Sequence, residues 1–489
     1  MYKGLNLKLI SKILGASLLV EAVFLLFPIG AAWFYGESQI HYFIIPLILS
    51  TVFGVGGMLA GINAENVIKK RESAIIVVAI WLLYTLIGAM PFYYSGAISN
   101  YTDAFFESLS GFTTSGTTVL NNIESLPYNM LFWRSLTHWI GGLGIIVISL
   151  ALLPMLGVSG YQLFNSESTT PTKEKIHAKI SETAKVLLLV YFILTVLCAL
   201  SLRIAGMGWF DSVNHALSTV STGGFSTKQN SIAYWNSTPI DYVIIFFMFF
   251  SGINFTMFYF LWKMNWARIR RSEELRYYVI ITLAAGVIIF YSLIDFSVPF
   301  NWHSLEKALR GSLFIVTSII STTGLSMEDY TLWHSYTWIV LLALMIIGGS
   351  AYSTAGGIKV ARIVILVKFC YYEFKKIVHP NAILPVRFDE RVVKDDLAMR
   401  VLAFVIIYCL VIVVGSFILS ISGLGLAESV SGMITCLSDV GLGLGKLGPS
   451  HSFADIPVFS KWFLAFVMLL GRLELYSVLL LFTPAFWKK

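Results

Sequence analysis

Thr113-Thr114-Ser115-Gly116-Thr117, Ser221-Thr222-Gly223-Gly224-Phe225, Ser321-Thr322-Thr323-Gly324-Leu325 and Ser438-Asp439-Val440-Gly441-Leu442 are four versions of one pattern: a hydroxyl, a small polar residue, any residue, a glycine, any residue. The glycines are spaced 108, 100 and 117 residues apart, the mark of an internal repeat. Around each version the order is the same. A helix-length apolar run comes first, then a shorter amphipathic stretch leading into the motif (103–112, 210–220, 304–320, 426–437), then another long apolar run. Helix, half-helix, loop, helix is how a re-entrant hairpin is built, and non-helical backbone at membrane depth survives only inside protein or beside a water-filled path.

Composition agrees. The chain has 489 residues, 57% hydrophobic and 12% charged, with a mean hydropathy of +0.78. Soluble domains carry about 25% charged residues, so a soluble globule is excluded. The apolar runs suffice for about ten spanning helices at ~20 residues each, and Trp and Tyr gather near their ends as an interfacial belt does. The net charge of +7 reads as topology and gives no sign of nucleic-acid binding. Basic clusters at Lys69-Lys70-Arg71, Lys173 to Lys185, Lys263 to Arg276, Lys359 to Arg400 and Lys488-Lys489 alternate with segments that lack Lys and Arg. The positive-inside rule places the clusters, and both termini, in the cytoplasm. The first apolar run lacks a small-residue cleavage site and reads as a retained helix. Cys198, Cys370, Cys409 and Cys436 show no metal-ligand spacing.

The expected fold is therefore an all-α integral membrane protein. An N-terminal transmembrane hairpin (1–72) precedes four tandem helix–half-helix–loop–helix repeats around one pore, at 73–165, 166–272, 273–385 and 386–489. The outer helices are expected near 74–94, 180–205, 277–294 and 392–420. The inner helices are expected near 131–156, 239–263 and 457–482, with an interrupted inner segment from 338.

The loops suit a dehydrated cation. Backbone carbonyls can replace its water shell when successive C=O groups face one axis, and glycine permits the positive φ such a turn needs. A half-helix ending at the loop adds its C-terminal partial negative charge. Close packing of small residues would explain one such patch, but not four in the same place of the same unit. Asp103, Glu107, Asp211, Glu328, Asp329 and Glu428 near the outer ends either concentrate cations at the mouth or are ordinary helix-start and loop acids, and the second reading is favoured for most of them.

Phe112-Thr113-Thr114-Ser115-Gly116, Ser221-Thr222-Gly223-Gly224-Phe225-Ser226-Thr227 and Gly441-Leu442-Gly443-Leu444-Gly445 make the chain resemble the Trk/Ktr/HKT superfamily of potassium transporters. The extra N-terminal hairpin makes it most similar to the TrkH branch. The resemblance spans nearly the whole chain. It implies a multi-pass protein of the bacterial cytoplasmic membrane and one ion path per subunit. It also implies potassium as the transported ion, held by the four loops at 113–116, 221–224, 321–324 and 438–441, with no cofactor on the chain. The implied partners are a second copy, in a homodimer, and a TrkA-like cytoplasmic nucleotide-binding subunit that gates it. Asp439 departs from the pattern, which has an uncharged side chain there. Its carboxylate either adds a cation site or turns away to hydrogen-bond the loop from behind, and the second is expected.

The third inner segment is broken by Gly348-Gly349-Ser350-Ala351-Tyr352-Ser353-Thr354-Ala355-Gly356-Gly357. Glycine costs a helix interior up to ~1 kcal/mol per residue, so this is a flexible break. No strand precedes it and no phosphate-binding pattern fits, at 348–357 or at 441–446. The resemblance makes it an intramembrane gate under the filter; a packed kink is the alternative. Arg472 is a charge inside an apolar helix, and such a residue is functional by default. The family has an arginine at the matching position, proposed as a barrier to permeating cations. Glu474, two residues on, is expected on another helix face, and Lys359 is read as marking the cytoplasmic boundary.

The histidines form no HExxH or other ligand spacing, so a membrane enzyme lacks its machinery. A sodium- or proton-coupled carrier is the closer alternative, with Glu474 and Asp439 as its intramembrane carboxylates. A sodium-preferring member of the superfamily would be expected to lose a loop glycine, and none is lost.

Overall fold

The computed structural model describes residues 5–65, 70–155, 180–294, 301–381, 384–393 and 395–487. Lys69, the basic residues from Lys173 to Lys179 and Lys488-Lys489 lie outside them, as does the expected boundary at 165/166. Helices dominate what is described, and six of them are long and apolar enough to cross a membrane, or up to eight when each of two bent pairs is taken as one span.

Leu7–Phe34 and His41–Ala60 form an antiparallel pair. The first helix starts on Asn6, whose side chain accepts the Leu9 amide at 3.1 Å, a standard N-cap. The pair crosses closely because Gly15, Gly54, Gly57 and Gly61 face the opposing helix. A Cβ on Gly15 would overlap the Gly54 carbonyl, and one on Gly57 the Ser11 carbonyl. Small residues at a crossing let backbones approach where lipid supplies no hydrophobic drive. Glu21 is fully buried in this pair, with Ser50 Oγ donating to one carboxylate oxygen at 3.4 Å and the other oxygen without a partner among the described residues. It is an intramembrane carboxylate that the sequence reading passes over.

Beyond the pair, long helices at Lys70–Gly88, Ile180–Ile204, Glu273–Leu293 and Asp395–Ile421 are each followed by a shorter one: Tyr101–Thr113, Trp209–Val220, Trp302–Ile320 and Leu426–Ser438. Each short helix packs on the long helix before it. Asn100 and Asn301 cap two of them by accepting the amides of Thr102 and His303 at 3.0 Å. After each loop comes an apolar helix: Tyr128–Met155, Thr238–Ser251, Ser335–Ile347 and Val458–Arg472. These pack in rotation. The first lies against the second short helix, the second against the third, the third against the fourth, and the fourth against the first.

The sequence predicts continuous inner helices everywhere but at 348–357. Instead all four are interrupted. The first carries non-helical backbone at Gly144 (φ 70°). The second bends by 101° between Ser251 and Thr256, and the fourth by 112° between Arg472 and Glu474. Each bent pair taken together is still apolar enough for one span, so mean hydropathy does not reveal the breaks, although Asn254 lies in one and Arg472 and Glu474 flank the other. A two-residue antiparallel hairpin, Arg387–Phe388 with Arg391–Val392, occupies the link to the last long helix, which starts at Asp395 and not at Val392.

Glu107 ties these pieces together. Its carboxylate accepts from Arg134 Nε at 2.8 Å, from the Val119 amide at 2.9 Å and from Thr118 Oγ1 at 3.0 Å. Both charged side chains are buried, so removing the acid strands a buried guanidinium at a cost of about 3–5 kcal/mol. Glu107→Ala is expected to lower the thermal inactivation midpoint in detergent by several degrees, and Glu107→Gln by less; an unchanged midpoint for the alanine variant would contradict this role.

Candidate functional site

The four short helices end alike. Thr114, Thr222, Thr322 and Asp439 all adopt left-handed backbone (φ 55°, 57°, 55° and 55°). The next amide reaches back five residues each time: Ser115 to Ser110 at 2.9 Å, Gly223 to Ser218 at 2.8 Å, Thr323 to Ser318 at 2.8 Å, and Val440 to Thr435 at 2.9 Å. This is the long bond of the Schellman termination. The following glycines, Gly116, Gly224, Gly324 and Gly441, again have positive φ (76°, 88°, 74° and 89°), where glycine alone carries no steric cost.

The glycines meet one another's loops in cyclic order. A Cβ on Gly116 would overlap the carbonyl of Gly223, one on Gly224 that of Thr323, one on Gly324 that of Val440, and one on Gly441 that of Ser115. Each contact is thus between one loop's glycine and the carbonyl before the next loop's glycine, and the fourth returns to the first. Braces stand behind. His138 stacks on Phe225 at 3.9 Å and abuts Gly223. Arg134 lies over the other side of the same system, 3.9 Å from the Phe225 ring, and donates to the Ser226 carbonyl at 3.1 Å. Tyr330 donates to the Gly443 carbonyl at 2.6 Å, and Tyr408 bonds Ser438 Oγ at 2.7 Å.

Residues 348–359 lie against this ring. Gly348 ends its helix at φ 69° and Lys359 restarts the next at φ 85°. The Gly356 amide donates to Thr322 Oγ1 at 2.7 Å, and Thr354 Oγ1 donates to the Val220 carbonyl at 3.1 Å. A Cβ on Gly356 would overlap the Ser438 carbonyl. The segment therefore touches the ends of three short helices. Arg472 closes on it from the side, donating through Nη1 to the Thr354 carbonyl at 2.9 Å and through Nη2 to the carbonyls of Gly142, at 3.1 Å, and Gly141.

Several expectations change here. Asp439 does not hydrogen-bond the loop from behind: it is 1% exposed, and neither carboxylate oxygen has a hydrogen-bond partner among the described residues. It is the left-handed cap of its helix, which turns its side chain toward Gly356 and Gly471. Glu474 is not on another face of Arg472's helix, because that helix stops at Arg472. Glu474 starts a new direction at φ 55° and pairs with Arg362 at 2.8 Å. Lys359, read as marking the cytoplasmic boundary, also directs its ammonium to the Ala355 carbonyl within the segment. The outer acids have local partners: Asp103 pairs with Lys461 at 2.7 Å, Asp211 accepts from Thr227 at 2.6 Å, Asp329 accepts from Ser450 at 2.7 Å, and Glu328 faces Lys307 at 3.7 Å. Sequence reasoning missed Glu274, which accepts the Ala351 amide at 2.6 Å, and Arg362, buried in the helix that leaves the segment. Nothing in the sequence separates Glu274 from Glu273 beside it.

Together these features define a multi-span helical membrane protein with a ring of backbone turns at its centre. The TrkH family model, described as a cation transport protein, matches residues 41–489. The chain is 35% identical over 493 residues to the Trk system potassium uptake protein TrkH of Halomonas elongata, covering 99% of this chain and 100% of that one. It is 34% identical over 494 residues to the TrkH of Escherichia coli K12, with the same coverage. The crystal structure of the potassium transporter TrkH from Vibrio parahaemolyticus aligns with a TM-score of 0.87 at 31% identity, covering 99% of this chain and 100% of that one. The chain belongs to the TrkH cation transport family.

Losing the acceptor for a buried amide costs about 1–3 kcal/mol, so Glu274 should hold the 348–357 segment in place. With Ser353→Cys as reporter, in a background lacking the exposed Cys370 and Cys409, Glu274→Ala is expected to raise maleimide labelling about tenfold. Glu274→Gln keeps the acceptor and should restore the slow rate; equal rates for all three would remove Glu274 from this role.

Proposed function

We propose that the chain is the membrane subunit of a potassium uptake system, conducting K⁺ down its electrochemical gradient through the four-loop ring. On this reading the chain comprises an N-terminal hairpin (1–72) and four pore repeats (73–165, 166–272, 273–385 and 386–489). Residues 113–116, 221–224, 321–324 and 438–441 are the potassium-selecting filter. Gly348, Gly349, Ser350, Gly356 and Gly357, with Arg472, form the gate. Both termini face the cytoplasm of a bacterial inner membrane. The working unit is a homodimer, regulated from below by a TrkA-like nucleotide-binding partner.

The observation that carries this reading is the cyclic contact of glycine to carbonyl among the four loops. A ring of backbone oxygens is how a protein replaces the hydration shell of an alkali cation. The names of the relatives, all potassium uptake proteins, favour K⁺ as that cation. Arg472 supports the gate assignment, since a guanidinium bound to both the 348–357 segment and the Gly141–Gly142 backbone adds a positive barrier on one side of the ring.

Two variants test this. Gly116→Ser introduces a Cβ that overlaps the Gly223 carbonyl, and it is expected to reduce the K⁺ over Na⁺ permeability ratio at least about tenfold. Gly30→Ser, where a Cβ meets nothing within 4 Å, is the control. An unchanged ratio in Gly116→Ser would overturn the filter assignment. Arg472→Ala removes both the charge and the latch and is expected to raise K⁺ flux severalfold; lower flux in a well-folded variant would overturn the barrier role.

A further inference from the structure

The ring positions that cap the four short helices are Thr114, Thr222, Thr322 and Asp439, all with the same left-handed backbone. The Thr322 hydroxyl meets the Gly356 amide at 2.7 Å, so this position faces from the ring toward the 348–357 segment. Asp439 faces the same way. A Cβ on Gly356 would come within 3.3 Å of the Asp439 Cβ, and one on Gly471 within 3.3 Å of Oδ2. Two glycines therefore leave the carboxylate uncovered by side chains on those sides.

A buried carboxylate is expensive unless a cation or a set of donors compensates it. Asp439 accepts no hydrogen bond among the described residues and forms no ion pair there. Arg472 and Lys359 are the cations that act on it through space, and both direct donors to backbone carbonyls, of Thr354, Gly141, Gly142 and Ala355. The acid therefore sits opposite two positive charges without contact. Oxygen ligands replace the water shell of an alkali cation. The other three capping positions offer hydroxyl oxygens.

We propose that the Asp439 carboxylate binds an alkali-metal cation at the edge of the ring that faces the 348–357 segment. This inference rests on the pore reading and adds a charged site to it. The carboxylate offsets the repulsion of Arg472 and Lys359, so an ion leaving the ring toward the gate is held instead of being turned back.

The test is Rb⁺ uptake by full-length protein in liposomes, for wild type, Asp439→Asn and Asp439→Thr. The threonine variant installs the residue of the other three loops and suits the same backbone. Both variants are expected to raise the Rb⁺ concentration for half-maximal flux about tenfold. Wild-type half-saturation in both variants would overturn the site while leaving the pore standing. A wild type with no Rb⁺ preference would sink the pore reading itself, and the site with it. Crystals of the wild-type protein grown in Tl⁺ give a readout without any variant: an anomalous peak in contact with the Asp439 carboxylate is expected, and its absence at saturating Tl⁺ would also overturn the site.

Discussion

Four glycines that press against four neighbouring carbonyls hold the centre of this protein together. The contact imposes two demands at once. The backbone must take positive φ, and no Cβ can stand between one loop and the next. Only glycine meets both. The rest of the fold delivers these loops to one place. Each short helix stops in a left-handed turn, and each following helix leans on the next short helix in the same rotation as the glycine contacts. Backbone contact and helix packing close in the same order, so a side chain added at any of the four glycines presses on the next loop of the cycle.

The second constraint is that backbone freed from helices must be satisfied inside the protein. All four inner helices break, and the breaks meet the ring ends. Gly141 packs on the Phe112 carbonyl and Gly471 on the Leu437 carbonyl, corresponding positions four residues before the loop glycines. The longest break, 348–359, is filled by hydroxyl and amide contacts to the short-helix ends, by Glu274 and by Arg472. On the proposed reading this makes the gate a bonded plug whose removal means exchanging several specific hydrogen bonds, a step that a cytoplasmic partner is suited to drive.

Much of this was legible in the sequence. The motifs at Gly116, Gly224, Gly324 and Gly441, and the helix lengths around them, follow from a repeat and from hydropathy, and Gly348 to Gly357 stands out by composition. The breaks after Ser251 and Arg472 do not, because each run stays apolar enough overall to read as one span, and Asn254, Arg472 and Glu474 read as isolated polar residues within it. Partnerships that depend on the bend were equally hidden. Glu474 meets Arg362 only because the helix turns by 112° after Arg472, so helix-face arithmetic gave the wrong geometry. The state of Asp439 was hidden for a further reason: a sequence names the residue but not the direction in which a left-handed cap turns it.

The central claim is that the ring is a cation-selective path driven by the ion's own gradient. It is met most directly by measuring flux of K⁺, Rb⁺, Na⁺ and Li⁺ into liposomes holding this chain alone, with and without a proton gradient. Flux of K⁺ and Rb⁺ well above that of Na⁺ and Li⁺, following the membrane potential and moving no protons, is the predicted result. Flux that requires the proton or sodium gradient would contradict it, and would turn the buried carboxylates of Asp439 and Glu21 into the carriers of the coupling.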